Sequence, residues 1–125
     1  MQLMDYLFTH PKEFIQYYAS DMILSLISNA VYLALPDARS CCATLYTLYD
    51  APTSKPPSIS PNGLVHVLGK TIHGVPASAS EAEMGGILIS AQEAVPILNT
   101  LFELGHPQPP SGTTLEMENS TAHYI

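Results

Sequence analysis

Positions 78–86 read SASEAEMGG and place two carboxylates, Glu81 and Glu83, at the head of the longest helical pattern in the chain. An amide, Asn29, and another acid, Glu118, lie to either side of them in sequence. A carboxylate at a helix start has two uses: it closes the cap of its own helix, or it is presented to something outside. Ser78 and Ser80 are each followed three residues later by a glutamate, so both registers satisfy a capping box. With Ser78 as the cap, Glu81 is consumed locally and Glu83 is free; with Ser80, Glu83 is consumed. Taken alone, Asn29 suits the turn that ends a strand. Glu118 alone suits a helix start, where the dipole favours an acid by about 0.3–1 kcal/mol.

Thiol and imidazole chemistry have no comparable footing. Cys41 and Cys42 are adjacent, where a mutual bridge is strained, and no CxxC or other metal spacing exists. Two reduced cysteines in a buried strand are expected. His10, His66, His73, His106 and His123 are scattered without ligand spacing and are expected on the surface or in loops.

The elements that must position these residues follow from periodicity. Apolar residues from Met84 through Ile87, Ala91, Ala94, Leu98 and Leu101 recur at three- and four-residue intervals, which predicts a helix ending near Gly105. Pro96 lies inside that run and removes a ladder hydrogen bond, so a kink or a split is expected there. Residues 1–10 have a helical pattern that stops at Thr9-His10-Pro11. Residues 14–18 and 22–28 are short extended runs, and the second, MILSLIS, reads as a strand closed by Asn29. A loop through Pro36-Asp37 leads to a β-rich run at 41–49. Residues 50–62, DAPTSKPPSISPN, are loop by composition. Residues 64–72 alternate as a third strand; a polar loop at 106–112 and a short strand at 113–117 follow the helix, and another helix is expected from Asn119 or Ser120. The order β-β-β-α-β predicts an α/β fold with a mixed sheet.

The chain has 125 residues, enough for one domain with a hydrophobic core. Its apolar runs fall far short of the ~20 residues of a spanning helix, and with Asp5 early and no basic leader a signal peptide is not expected. Four Lys and Arg against eleven Asp and Glu give a formal charge of −7, the wrong sign for a free-standing nucleic-acid binder. A domain held on nucleic acid by a neighbouring part of a larger polypeptide is compatible with it.

Ser28-Asn29-Ala30 closing strand one, Arg39-Ser40 before strand two, Ser80-Glu81-Ala82-Glu83 opening the helix and Glu118-Asn119-Ser120-Thr121-Ala122 after the next strand form an ordered set. With the β-β-β-α-β order, this set resembles the ribonuclease H region of copia-type retrotransposon reverse transcriptases, whose corresponding points read S-D-A, R-S, S-x-E-A-E and D-N-x-S-A. The resemblance implies a ribonuclease H-like mixed sheet, truncated at the C-terminus, over residues 21–125, preceded at 1–20 by the tail of a polymerase or connection region. It implies cleavage of the RNA strand of an RNA·DNA hybrid by two divalent ions, Mg2+ or Mn2+, roughly 3.5–4 Å apart and held by hard carboxylate oxygens. The hybrid and the adjoining polymerase region are the implied partners, and the interior of a eukaryotic cell the implied setting.

Carried over position by position, the family's three acids fall on Asn29, Glu83 and Glu118, of which only Glu83 keeps the family's residue. Asn29 offers one neutral oxygen and no charge against two dications. Glu118 keeps the charge but adds a methylene, and a ligand displaced by about 1 Å costs on the order of a hundredfold in rate. Impaired catalysis is therefore expected, with a non-catalytic protein- or hybrid-binding module, or a decayed genomic copy with no role, as the alternative. Asp21 is no substitute, lying about 26 Å from Asn29 along an extended strand. A fold of this type without its closing strand and helix is expected to leave an open edge, an uncovered apolar face and poor solubility.

Overall fold

The computed structural model describes residues 2–14, 17–50 and 64–117. Helix α1 spans Gln2–Thr9, strand β1 Ile23–Leu35, β2 Arg39–Tyr49, β3 Leu64–Thr71, helix α2 Ala79–Glu103 and β4 Thr114–Met117. The predicted β-β-β-α-β order is present, and the sheet is mixed. Its strand order is β3-β2-β1-β4, with β1, β2 and β3 antiparallel and β4 parallel to β1.

Two expectations change. Strand β1 does not stop at residue 28: it runs on to Leu35, so Asn29 is not a turn residue but sits mid-strand opposite Ala43. The hairpin turn falls instead at Pro36–Ala38, where Asp37 and Ala38 take positive φ of 63° and 55°. Ladder pairing with β2 outweighs the turn preference of one asparagine. Second, of the kink or split expected at Pro96, the split does not occur; α2 is one element. Its missing N–H costs on the order of 3 kcal/mol, yet Ala94 and Leu101 are buried in the core and Ile97 and Leu98 pack against it, so both flanks are held on the sheet. Among residues 14, 17 and 18 no strand forms. The proline-rich loop, apart from Asp50, and the helix expected from Asn119 lie outside the described residues.

The core lies between α2 and one sheet face. Leu24, Leu26, Tyr46 and Leu68 project from three strands toward Ala94 and Leu101, and a smaller cluster joins Cys42, Ile72 and Ala82. Burying each large apolar side chain contributes about 1.5–3 kcal/mol. At its C-terminus α2 closes on Gly105 (φ 89°): His106 N–H donates to Leu101 O at 2.9 Å and Gly105 N–H to Phe102 O at 3.0 Å. A left-handed glycine one residue past the C-cap satisfies the helix's last carbonyls this way. Gln108 then continues the edge of β1, accepting from Leu24 N–H and donating to Met22 O, both at 2.9 Å.

On the opposite sheet face Val31, Leu45 and Val67 are exposed, whereas Ser25 and Thr47 are buried.

At the other end of α2, Ser78 is the N-cap, its hydroxyl accepting from Glu81 N–H. Replacing Ser78 with Ala leaves that donor unpaired and should lower stability by about 0.5–2 kcal/mol. Urea denaturation measures this as a lower midpoint at unchanged slope.

Candidate functional site

The cap decides which carboxylate is local. Ser78 Oγ accepts from Glu81 N–H at 3.1 Å, and Glu81 Oε2 accepts in return from Ala77 N–H at 2.6 Å. Glu81 is consumed, so Glu83 is released. Two residues further on, about 200° around the helix, Glu83 faces the sheet and is 2% exposed. Its Oε1 accepts from the backbone N–H of Ala30 at 3.2 Å. Its Oε2 is buried without a hydrogen-bond partner.

This contact fixes the place. Ala30 follows Asn29, and β4 ends at Met117, which is registered opposite Ser28. The middle of β1, the head of α2 and the C-terminal end of β4 therefore meet at one point of the sheet. The first two of these carry Asn29 and Glu83, and Glu118 lies outside the described residues. Asn29 is exposed. Strand alternation turns it to the face opposite Ser28 and Ala30, which point toward Gly86 of α2. Asn29 and Glu83 thus approach the same stretch of β1 from opposite sides of the sheet. Asp21 lies just before β1, its N–H donating to Asp50 Oδ1 at 3.1 Å, and Asp37 occupies the turn at the strand's other end. Neither is beside Ala30. Among the described residues no three His, Cys, Asp or Glu side chains form a group able to hold a metal ion.

A buried hydroxyl seam next to Glu83 escaped the sequence reading. Thr44 Oγ1 lies 2.5 Å from Ser90 Oγ and 3.3 Å from Ser28 Oγ. Ser90 Oγ donates to Gly86 O at 2.7 Å, and the Tyr46 hydroxyl donates to Ser90 O at 2.8 Å. The available signal was polarity in phase with the core: Ser28 shares the period-2 face of Leu24 and Leu26, and Ser90 is followed on its helix face by Ala94 and Leu101. Among the described residues no histidine or carboxylate bonds to these hydroxyls, so none is activated as a nucleophile. Their chemistry is positional. They tie β1, β2 and α2 together beneath Glu83.

Burial pushes the Tyr46 phenol up to about 12, with the nearby Glu93 carboxylate adding to the shift. Burial also raises the Cys42 thiol, with adjacent Cys41 acting in the same direction. Both cysteines are free, as expected, and only Cys42 is buried. His66 is not in a loop but on β3, half-exposed, with Nε2 at 3.5 Å from Glu93 Oε2 and its ring 5.1 Å from that of Tyr46. A two-residue pair on a strand and a helix gives His66 a packing role. No described helix is long and apolar enough to cross a membrane.

No family model, curated protein or solved structure matches this chain.

Removing the Glu83 carboxylate isolates a buried donor. Glu83→Ala should lose about 1–3 kcal/mol because the Ala30 N–H is left unpaired, whereas Glu83→Gln keeps an acceptor and should lose less; urea melts of the two variants check the difference. Tyr46 gives a separate pH signature. Its folded pKa of about 12 exceeds the ordinary phenol value of 10.0, so the unfolded chain releases that proton first. Its contribution to stability is whole below pH 10 and is lost as pH rises toward 12. Tyr46→Phe should flatten the fall in melting temperature over that window.

Proposed function

We propose that this chain is a ribonuclease H-type domain of copia-type retrotransposon descent, whose ancestral reaction cut the RNA strand of an RNA·DNA hybrid and whose present activity is weak or lost. The observation that carries the reading is the delivery of Glu83, from the head of the main helix, to the β1 backbone beside Asn29 where β4 ends. The mixed sheet β3-β2-β1-β4, with one main helix, is compatible with a ribonuclease H-like fold. The orphaned Oε2 of Glu83 adds to this support, since a buried oxygen without a donor is the kind of group that a ligand satisfies.

The donor set supports the impairment as well. Two-metal hydrolysis places two dications where attacking and leaving oxygens are stabilised together. Magnesium is bound there by one or two carboxylates plus the substrate's phosphates. At the described part of this locus, the Glu83 carboxylate lies on one side of the sheet and the Asn29 amide on the other, where Glu116 is registered opposite Ile27, so the two carboxylates do not converge. That set does not fit a pair of dications, and no reaction step is derived through them. A non-catalytic module, held to its hybrid by the adjoining polymerase region or bound to a protein, is the second reading. It is favoured by the Ala30 bond, which gives Glu83 a structural task. A chain of formal charge −7 would draw its grip on nucleic acid from that neighbour.

Cleavage of an end-labelled RNA·DNA hybrid in Mg2+ or Mn2+ tests the proposal. The unaltered chain should cut slowly or not at all, and the double variant Asn29→Asp, Glu118→Asp should gain about 10- to 100-fold, a gain abolished by Glu83→Gln. Failure of the double variant to cut, even with the adjoining polymerase region supplied, would remove the enzyme lineage from consideration. Efficient cutting by the unaltered chain would overturn the impairment.

A further inference from the structure

Strand β3 lies at one edge of the sheet, and its ladder to β2 decides which of its backbone groups are used. Ile72 N–H donates to Ser40 O at 2.8 Å, so those two residues form a hydrogen-bonded pair. By the alternation of an antiparallel ladder, Cys42 with Lys70, Thr44 with Leu68 and Tyr46 with His66 are hydrogen-bonded pairs too. Thr71, Gly69 and Val67 stand between them, opposite Cys41, Ala43 and Leu45, and their N–H and C=O groups point away from β2. Among the described residues no backbone hydrogen bond satisfies these outward groups. Helix α2 packs mainly on β1 and β2, and Val67 is 56% exposed.

Sheet edges usually discourage pairing by being short, charged, bulged or broken with proline. Strand β4, at the other edge, has four residues. Strand β3 has eight, with no proline and no acid among them, in a chain whose formal charge is −7. Its irregularity falls at its beginning, where the register shifts between Tyr46 and Thr47 and where the Tyr17 hydroxyl occupies Leu64 O. The regular, unpaired stretch is therefore residues 67–71. It is centred on Gly69, where even an added Cβ would meet nothing within 4 Å.

We propose that this edge is a homodimer interface, in which residues 67–71 pair antiparallel with the same residues of a second copy across a two-fold axis at Gly69. A strand paired with itself in this way is isologous, so one operation closes both open edges and joins the two four-stranded sheets. The register sets outward groups against outward groups: Gly69 faces Gly69 of the second copy, and Val67 faces its Thr71. Such β-branched neighbours pack well across a ladder. Lys70 falls opposite Leu68, so no like charges meet where two acidic chains must approach. The proposal stands apart from hybrid cleavage, since β3 is separated from β1 and the Glu83–Ala30 contact by β2.

Light scattering across a concentration series on the full chain tests it. The unaltered chain should approach twice the monomer mass as concentration rises. Gly69→Pro removes an N–H that points to solvent in the monomer, a change an edge strand tolerates, and deletes two hydrogen bonds of the dimer. It should raise the dimer dissociation constant roughly tenfold or more, with the far-ultraviolet circular dichroism unchanged. Charge tests the register. Val67→Glu, Thr71→Glu sets like charges against each other across the axis and should dissociate the dimer, whereas Val67→Lys, Thr71→Glu sets opposite charges there and should retain it. Both variants replace the same two side chains, so misfolding does not account for a difference between them. A monomer at every concentration, a dimer indifferent to Gly69→Pro, or equal weakening by the two charge pairs would each overturn the proposal.

Discussion

Helix α2 reaches the sheet as closely as it does because position 86 has no side chain. A Cβ on Gly86 would stand 3.1 Å from Cys42 Cβ and 3.7 Å from Ala30 Cβ, so any larger residue must push the helix away. The close approach brings Ser90 within reach of Thr44 and Ser28 and brings Glu83, one turn earlier, onto the Ala30 N–H. The hydroxyl seam and the carboxylate contact are thus consequences of one missing methyl group. Gly85 meets a similar limit against Ile72 Cγ2 at 3.1 Å, though that contact is with the end of a side chain that can yield.

Local chemistry was legible in the sequence where it is settled by a few neighbouring residues. Serine three residues before glutamate announced the cap, and apolar spacing announced α2 and its end at Gly105. What could not be read was the choice between the two capping registers, because Ser78 and Ser80 offer the same chemistry. Packing decides it: with Ser78 as the cap, Ala82 and Glu83 face the sheet and are buried. Asn29 was misread for a related reason. Its turn preference is a property of one residue, whereas its place in β1 is set by pairing that runs from Ile23 opposite Tyr49 to Val31 opposite Cys41. Pro96 shows the same override, since core contacts on both flanks outweigh one lost hydrogen bond.

The candidate site was legible as residue types and not as geometry. Sequence singled out Asn29 and Glu83, and the fold brings the backbone of the first beside the carboxylate of the second. It could not show that the two side chains come from opposite faces of the sheet, because that depends on the phase of a strand whose end had been misplaced. Nor could it show the hydroxyl seam, whose members come from β1, β2 and α2. A buried carboxylate with one satisfied oxygen and one orphan stands between structural and metal-binding roles, and the charge of its neighbour decides between them.

Manganese titration followed by amide NMR is the most direct test, because a paramagnetic ion broadens nearby signals without requiring catalysis. The account predicts no selective broadening near Ala30 in the unaltered chain at low millimolar Mn2+, and selective loss of the Ala30 and Glu83 amide signals in Asn29→Asp. Broadening of equal strength in the unaltered chain, or none in Asn29→Asp, would contradict it.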